Sequence, residues 1–268
     1  MARETGAPDS GDATVERLTA FAVRMADAVR PVVRRHFRSR IAIETKADSS
    51  PVTLADREAE TTARSLIAET YPDHGIVGEE FGALREDAEH VWIIDPIDGT
   101  KAFITGKPLF GTLIALQQAG VPTIGVIDMP ALDERWIGTD GKPTTFNGRV
   151  ATTRECPSLS AALLATTTPD MFVGENEGAF QRIRASVGAC HYGGDCYNYA
   201  LLASGFIDLV VEAQLQTYDF MALVPVITGA GGIITDWQGR PLGPGSDGRV
   251  VAAGDRRIHA AAIERLNA

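Results

Sequence analysis

Residues 91–103 read VWIIDPIDGTKAF, and this stretch decides how the rest of the chain is read. Val91, Trp92, Ile93 and Ile94 predict a buried strand, a short apolar run bounded by turn signals. Asp95 stands at its C-terminal end, and Pro96, which has no N–H, is expected to stop the ladder. Asp98, Gly99 and Thr100 read as the start of a helix running toward Phe103. Asp95 and Asp98 thus flank a strand-to-helix junction, where both carboxylates can converge on one point. A helix start offers unpaired backbone N–H groups and a positive dipole end, which together make an anion site. Gly99 lets an anion approach the backbone closely. Acidic oxygens for cations lie beside N–H donors for a phosphate, which suits hard divalent ions that bridge to phosphate oxygens. Taken alone, Asp98 is equally a helix cap and Asp95 a plain strand end.

Two further acids lie at element ends. Gly78-Glu79-Glu80 closes the apolar run GIVGEE, with Glu79 16 residues before Asp95, a distance that suits an adjacent strand. Tyr218-Asp219-Phe220 falls between a strand ending at Glu212 and an Ala/Gly-rich helix, again at a helix start.

Working outward, Val15, Leu18, Ala22, Met25, Val29 and Val33 predict a helix from Asp12, with Pro31 a point of kinking or division. Residues 45–52 read as loop. Thr53 is placed to cap a second helix that ends near Tyr71-Pro72. Strands are expected at Gly75–Gly78, Val91–Ile94, Gly111–Leu116, Thr123–Asp128 and Arg135–Gly138. Beyond residue 150 strands alternate with helices at 176–186, 195–204, 218–230 and 255–267. The mixture is α+β followed by α/β. Residues 1–11 are expected to be a disordered tail. Residues 12–150 read as an N-terminal half holding the metal and phosphate groups, and residues 151–268 as a half that sets substrate specificity.

The 268 residues carry a net charge of −10, which argues against a nucleic-acid or anionic-membrane surface. No apolar run is long enough to span a bilayer, and the N-terminus lacks the pattern of a signal peptide. Three cysteines without a C-x-x-C suggest neither a disulfide framework nor a zinc site, and a cytoplasmic setting. The signatures of cysteine, aspartyl and histidine phosphatases, of G-x-S-x-G hydrolases and of Walker A loops are all missing.

GEE, then WIIDPIDGT, then a late Asp before an Ala/Gly-rich helix resembles the inositol monophosphatase superfamily. The strings GDCYNYALLASG and GAGGIITDW add to the likeness, which spans roughly residues 40–255. The resemblance implies a five-layered α-β-α-β-α sandwich, usually a homodimer. It also implies a phosphomonoesterase with two or three Mg²⁺ ions per site, in which a metal-activated water attacks phosphorus directly. By the family pattern Glu79, Asp95 and the Ile97 carbonyl would hold one ion, and Asp95, Asp98 and Asp219 another. Gly99 and Thr100 would present N–H groups to the phosphate. Asp56 would pair with Thr100 to orient and deprotonate the water, although an Asp in a first helical turn also simply favours the dipole. Lys46 matches a lysine on a loop that closes over the site, and it is equally a solvated surface residue. Asp195 and Glu212 match positions that face the substrate's alcohol portion; by themselves they are also a helix cap and a charged strand end.

Within the superfamily the chain most resembles the histidinol-phosphate phosphatase branch, through PVTLADREAE, GEEFG, DPIDGTKAFITGKPLFGTLIAL and QTYDFMALVPVITGAGG. The substrate implied is a small phosphorylated metabolite, L-histidinol phosphate, whose amine Asp195 or Glu212 would neutralise. Alternatives are an inositol or broad sugar monophosphatase, a nucleotide 3′-phosphatase, and a non-catalytic protein on the same fold.

Overall fold

The computed structural model describes residues 10–39, 43–45 and 51–268. Helix α1, Ser10–His36, buries Leu18, Phe21, Ala22, Met25, Val29 and Val33 along one stripe. Ser10 and Gly11, expected in the tail, belong to this helix, and residues 1–9 lie outside the described residues. The helix runs through Pro31, which sits on the exposed side, where the carbonyl left without its N–H partner is open to water. Strands β1, Ile43–Thr45, and β2, Pro51–Thr53, form an antiparallel pair in a stretch read as loop. They are too short for a period-2 pattern to show. Helix α2, Leu54–Thr70, is capped by Thr53 as expected, and Ala55, Ala59, Ala63 and Ile67 form its buried face.

The first sheet comprises β3 (Gly75–Gly78), β4 (Gly82–Leu84), β5 (His90–Asp98), β6 (Gly111–Gln118), β7 (Val121–Met129), β8 (Glu134–Thr139), β9 (Lys142–Phe146) and β10 (Arg149–Val150). Its order is β10-β9-β8-β7-β6-β5-β3-β4, and β3 with β5 is its parallel pair. The short helix α3, Thr100–Ile104, follows β5. Pro96 does not end β5. The ladder resumes at Asp98 opposite Gly111, after a register shift that sets Pro96 and Ile97 against Thr112. This bulge accommodates a residue with no N–H, and the Thr112 hydroxyl donates to the Pro96 carbonyl at 2.8 Å.

The second sheet comprises β11 (Leu163–Thr166), β12 (Ala189–Tyr192), β13 (Leu209–Glu212), β14 (Ile233–Thr235) and β15 (Val250–Ala253), in the order β12-β11-β13-β15-β14. The first three in that order are parallel. Helices α4 (Glu175–Arg184), α5 (Cys196–Ala203), α6 (Thr217–Phe220), α7 (Leu223–Gly229) and α8 (Arg256–Leu266) complete the chain. The helix expected over 218–230 is therefore two. Pro225 cannot donate to the Met221 carbonyl, so the helix restarts at Leu223.

Three apolar cores order the layers. Trp92 and Ile94 of β5 pack with Met25 of α1 and Ala59 of α2. Val91 and Ile93, on the other face of the same strand, join Leu202 of α5, Val226 of α7 and Val210 of β13. Leu209 and Val211, on the far face of β13, pack with Phe180 of α4 and Ile258 of α8. The result is the α-β-α-β-α sandwich. No described helix is long and apolar enough to cross a membrane.

Candidate active site

Parallel strands deliver the site residues, because parallel strands bring their C-terminal ends to one edge, where open α/β sheets bind ligands. The parallel ladder of β3 and β5 ends at Gly78 opposite Ile94, so Glu79 and Asp95, the residues that follow these two, meet, as their spacing suggested. In the second sheet β11, β12 and β13 end at Thr166, Tyr192 and Glu212. Thr167 and Asp195, just beyond two of these ends, line the same cleft as Glu79, Asp95, Asp98 and Asp219. Glu212 and Tyr199 line its inner recess.

One carboxylate oxygen from each of Asp95, Asp98 and Asp219 lies within 4.8 Å of the others. Asp95 faces the carboxylates of Glu79 and Asp219 at close range. Burial pushes all three aspartates up from the ordinary carboxylate range, and their mutual charge adds to the rise at Asp95 and Asp219. Asp98 rises only to about 6, because the Cys196 thiol and then the Cys196 N–H, 2.6 Å from its Oδ2, oppose the rise. Asp98 therefore caps α5 from across the cleft. The N-cap of its own helix α3 is Gly99, at φ 85°, a left-handed turn that glycine adopts without steric cost. Asp219 holds the Gln216 N–H at 2.7 Å in the first turn of α6. Asp95 Oδ1 accepts the Ile97 N–H at 3.0 Å.

Asp56 fulfils the capping reading and leaves room for the other. Its Oδ2 accepts both the backbone N–H and the hydroxyl of Thr53, at 2.8 and 2.6 Å. Its Oδ1 is buried without a hydrogen-bond partner. Burial raises the group, Thr53 opposes the rise, and Glu79 adds to it. The expected Asp56–Thr100 pair is not formed; the Thr100 hydroxyl instead donates to the Ile97 carbonyl at 3.1 Å. Lys46 lies outside the described residues.

Asp195 occupies the N-cap position of α5 but makes no side-chain cap bond. Its carboxylate lies against Gly99, where an added Cβ would come within 3.2 Å of it. Burial and the Asp98 charge push Asp195 up to about 7, against the pull of Lys101 and Lys107. Glu212 is buried, with Oε1 accepting the N–H and hydroxyl of Thr167 at 2.8 and 2.6 Å and Oε2 accepting the Tyr199 hydroxyl at 3.0 Å. Burial, with some help from Asp195, raises it to about 7 despite those donors.

Thr167, Tyr199, Lys107 and Glu60 are site residues that the sequence reading missed. Thr167 had a signal, its place just past an apolar strand. The others are ordinary residues until the fold brings them to the cleft or beneath it.

The donor set fits a hard divalent cation. The clustered groups are carboxylates, with the Ile97 carbonyl in the same cleft. Burial pushes the neighbouring Cys196 thiol well above its usual range, so it stays neutral and offers no competing soft ligand.

The sequence model of the inositol monophosphatase family matches residues 14–268. The chain belongs to this family. Its members are metal-dependent phosphatases, typically with Mg²⁺, that act on small phosphorylated substrates. The chain is 51% identical over 264 residues to the bifunctional phosphatase IMPL2, chloroplastic, of Arabidopsis thaliana, covering 95% of this chain and 76% of that protein. It is 34% identical to the histidinol-phosphatase of Mycobacterium tuberculosis, covering 92% of this chain and 97% of the relative. A solved inositol monophosphatase from Zymomonas mobilis superposes with a TM-score of 0.88 at 49% identity, covering 94% of this chain and 98% of that one. The five-layered fold expected from sequence is the fold of this family.

Proposed function

We propose that this protein is a Mg²⁺-dependent phosphomonoesterase that hydrolyses L-histidinol phosphate to L-histidinol and phosphate. The observation that carries the substrate is the pair of acids beside the aspartate cluster, Glu212 buried and Asp195 half-buried, lining one recess. Both are poised near neutrality, so an entering ammonium group would draw them to the ionised form and be held by a charge-assisted contact.

Glu79, Asp95, the Ile97 carbonyl, Asp98 and Asp219 would hold the ions. When bound, Mg²⁺ would supply charge neutralisation for the phosphate oxygens and a water acidic enough to attack at neutral pH. Gly99 and Thr100 would turn their N–H groups to the phosphate at the left-handed turn. Asp56 keeps its buried Oδ1 available to orient a water and accept its proton, and Thr100 would carry its hydroxyl to the same water. Asp195 and Glu212 would fix the leaving alcohol through its amine.

A second reading, hydrolysis of inositol phosphates, is favoured by the 49% identity to an inositol monophosphatase and by the word bifunctional in the name of the plant relative. Phosphate release with Mg²⁺ from equal concentrations of histidinol phosphate, myo-inositol 1-phosphate and adenosine 3′,5′-bisphosphate separates the readings. A preference for histidinol phosphate of about 100-fold in kcat/KM is expected, roughly 2.7 kcal/mol of discrimination. A flat profile, or a preference for inositol phosphate, would overturn the substrate assignment.

A further inference from the structure

Glu60 lies on α2, four residues after Asp56, and is completely buried. A buried carboxylate is costly unless its oxygens are satisfied, and the partners of Glu60 point to a task. Its Oε2 accepts the backbone N–H of Glu80 at 2.7 Å, and its Oε1 accepts that of Phe81 at 3.2 Å. Arg64, one turn further along α2, donates to Oε1 at 2.7 Å and also to the Gly82 carbonyl. The carboxylate rests directly on Gly78, where any Cβ would fall 2.1 Å from Oε1.

Residues 79–81 form the three-residue turn between β3 and β4, whose last pair is Gly78 with Gly82. Glu79 is the first residue of that turn. Its own N–H is tied to the Ile94 carbonyl at 3.3 Å, and the next N–H along the chain is tied to Glu60. Both peptide groups that flank Glu79 are therefore anchored, one to β5 and one to α2. With both fixed, the side chain of Glu79 has one way to leave the backbone, and it leaves toward Asp95.

We propose that Glu60 is a positioning residue for cation binding. It holds the 79–81 turn so that the Glu79 carboxylate stays in register with Asp95, and it sets the affinity of the ion the two would share. This rests on the Mg²⁺-dependent reading of the cluster. Glu60 touches neither the ion nor the substrate; it acts through Glu79.

The test is Mg²⁺ titration calorimetry on the full chain, without substrate, in a double-mutant cycle of Glu60→Gln and Glu79→Gln. Glutamine keeps the shape of Glu60, but it has one acceptor oxygen for two N–H donors and no charge for Arg64. Glu60→Gln alone is expected to weaken Mg²⁺ binding about tenfold, 1.4 kcal/mol. In the Glu79→Gln background the same change is expected to cost nothing further, because the carboxylate it positions is already neutral. Equal loss in both backgrounds would make Glu60 a general structural residue and overturn the proposal, as would unchanged binding in Glu60→Gln. Failure of the underlying reading looks different: wild type would not bind Mg²⁺, or Glu79→Gln would bind as wild type does. Should Glu60→Gln lose its helical circular dichroism, Arg64→Met loosens the same clamp from its outer end. Weakening of about threefold supports the proposal, and unchanged affinity contradicts it.

Discussion

Glu212 shows how one carboxylate can be both structural and discriminating. Three donors from Thr167 and Tyr199 fix its plane, and Oε2, with one of those donors, retains acceptor capacity in the recess. Glutamine at this position keeps an acceptor for Thr167 and removes the charge. A bond to a charged partner contributes about 1.5–3 kcal/mol. Glu212→Gln is therefore expected to lower kcat/KM for histidinol phosphate about 30-fold more than for a sugar phosphate. Equal losses on the two substrates would remove Glu212 from discrimination. Asp195 carries a second mark of function. It holds φ 47° directly after Gly193 and Gly194, both at positive φ. A non-glycine residue in that region costs on the order of 1–3 kcal/mol, strain that collects at binding sites. Asp56 was legible through the family resemblance and its place in a first helical turn, and it closes a capping box with Thr53. That its second oxygen would be buried and unpaired was not legible, because that depends on what covers it.

At the scale of elements, the long amphipathic helices and the apolar strands could be read because one residue in two or in 3.6 faces a core. β5 is the clearest case: its alternating residues enter two different cores, and Asp95 continues the face of Val91 and Ile93. What escaped the reading depends on partners distant in sequence. The bulge that carries β5 past Pro96 exists only opposite Thr112 on β6. β4, β9 and β10 are short or polar and are strands because a neighbouring strand pairs with them. Glu60 resembles a surface residue of an Ala-rich helix until the 79–81 turn folds over it. The site shares one geometric origin: Glu79, Asp95, Thr167, Asp195 and Glu212 all stand at or just beyond the points where parallel ladders end, in two separate sheets.

Across the whole molecule, the elements after residue 150 supply one wall of the cleft and one of its clustered acids, Asp219. α5 and α7 fill the layer between the sheets, and Asp98, at the end of β5 in the first sheet, caps α5. Closing the cleft in this way crowds acids together, and that has a measurable consequence. Asp98 rises to about 6, and Asp195 and Glu212 to about 7. A carboxylate raised by folding stabilises the fold below its unfolded pKa, and that contribution is lost as pH climbs through the folded value. Without a cation the fold therefore loses this stability between the ordinary carboxylate range and about pH 7. Mg²⁺ binds the ionised forms, so its effect should grow over the same window. At one fixed concentration, 100 times its Kd at pH 8, it is expected to raise Tm on the order of 5–10 °C at pH 8 and far less at pH 5, where it binds more weakly. Equal shifts at the two pH values, read by scanning calorimetry, would contradict the assignment of the cation to this cluster.

As proposed above, the aspartate cluster, with Asp95 its buried member, is the catalytic metal site of a phosphomonoesterase, and Asp95 is its shared ligand. The most direct measurement is phosphate release from histidinol phosphate across a Mg²⁺ titration, for wild type and for Asp95→Asn. Release by wild type should be saturable in Mg²⁺ and abolished by a chelator. Asp95→Asn, with unchanged circular dichroism, should lose at least about 100-fold in turnover, 2.7 kcal/mol or more of transition-state stabilisation. Wild-type release that persists in chelator, or an Asp95→Asn protein that keeps more than a few per cent of activity, would contradict it.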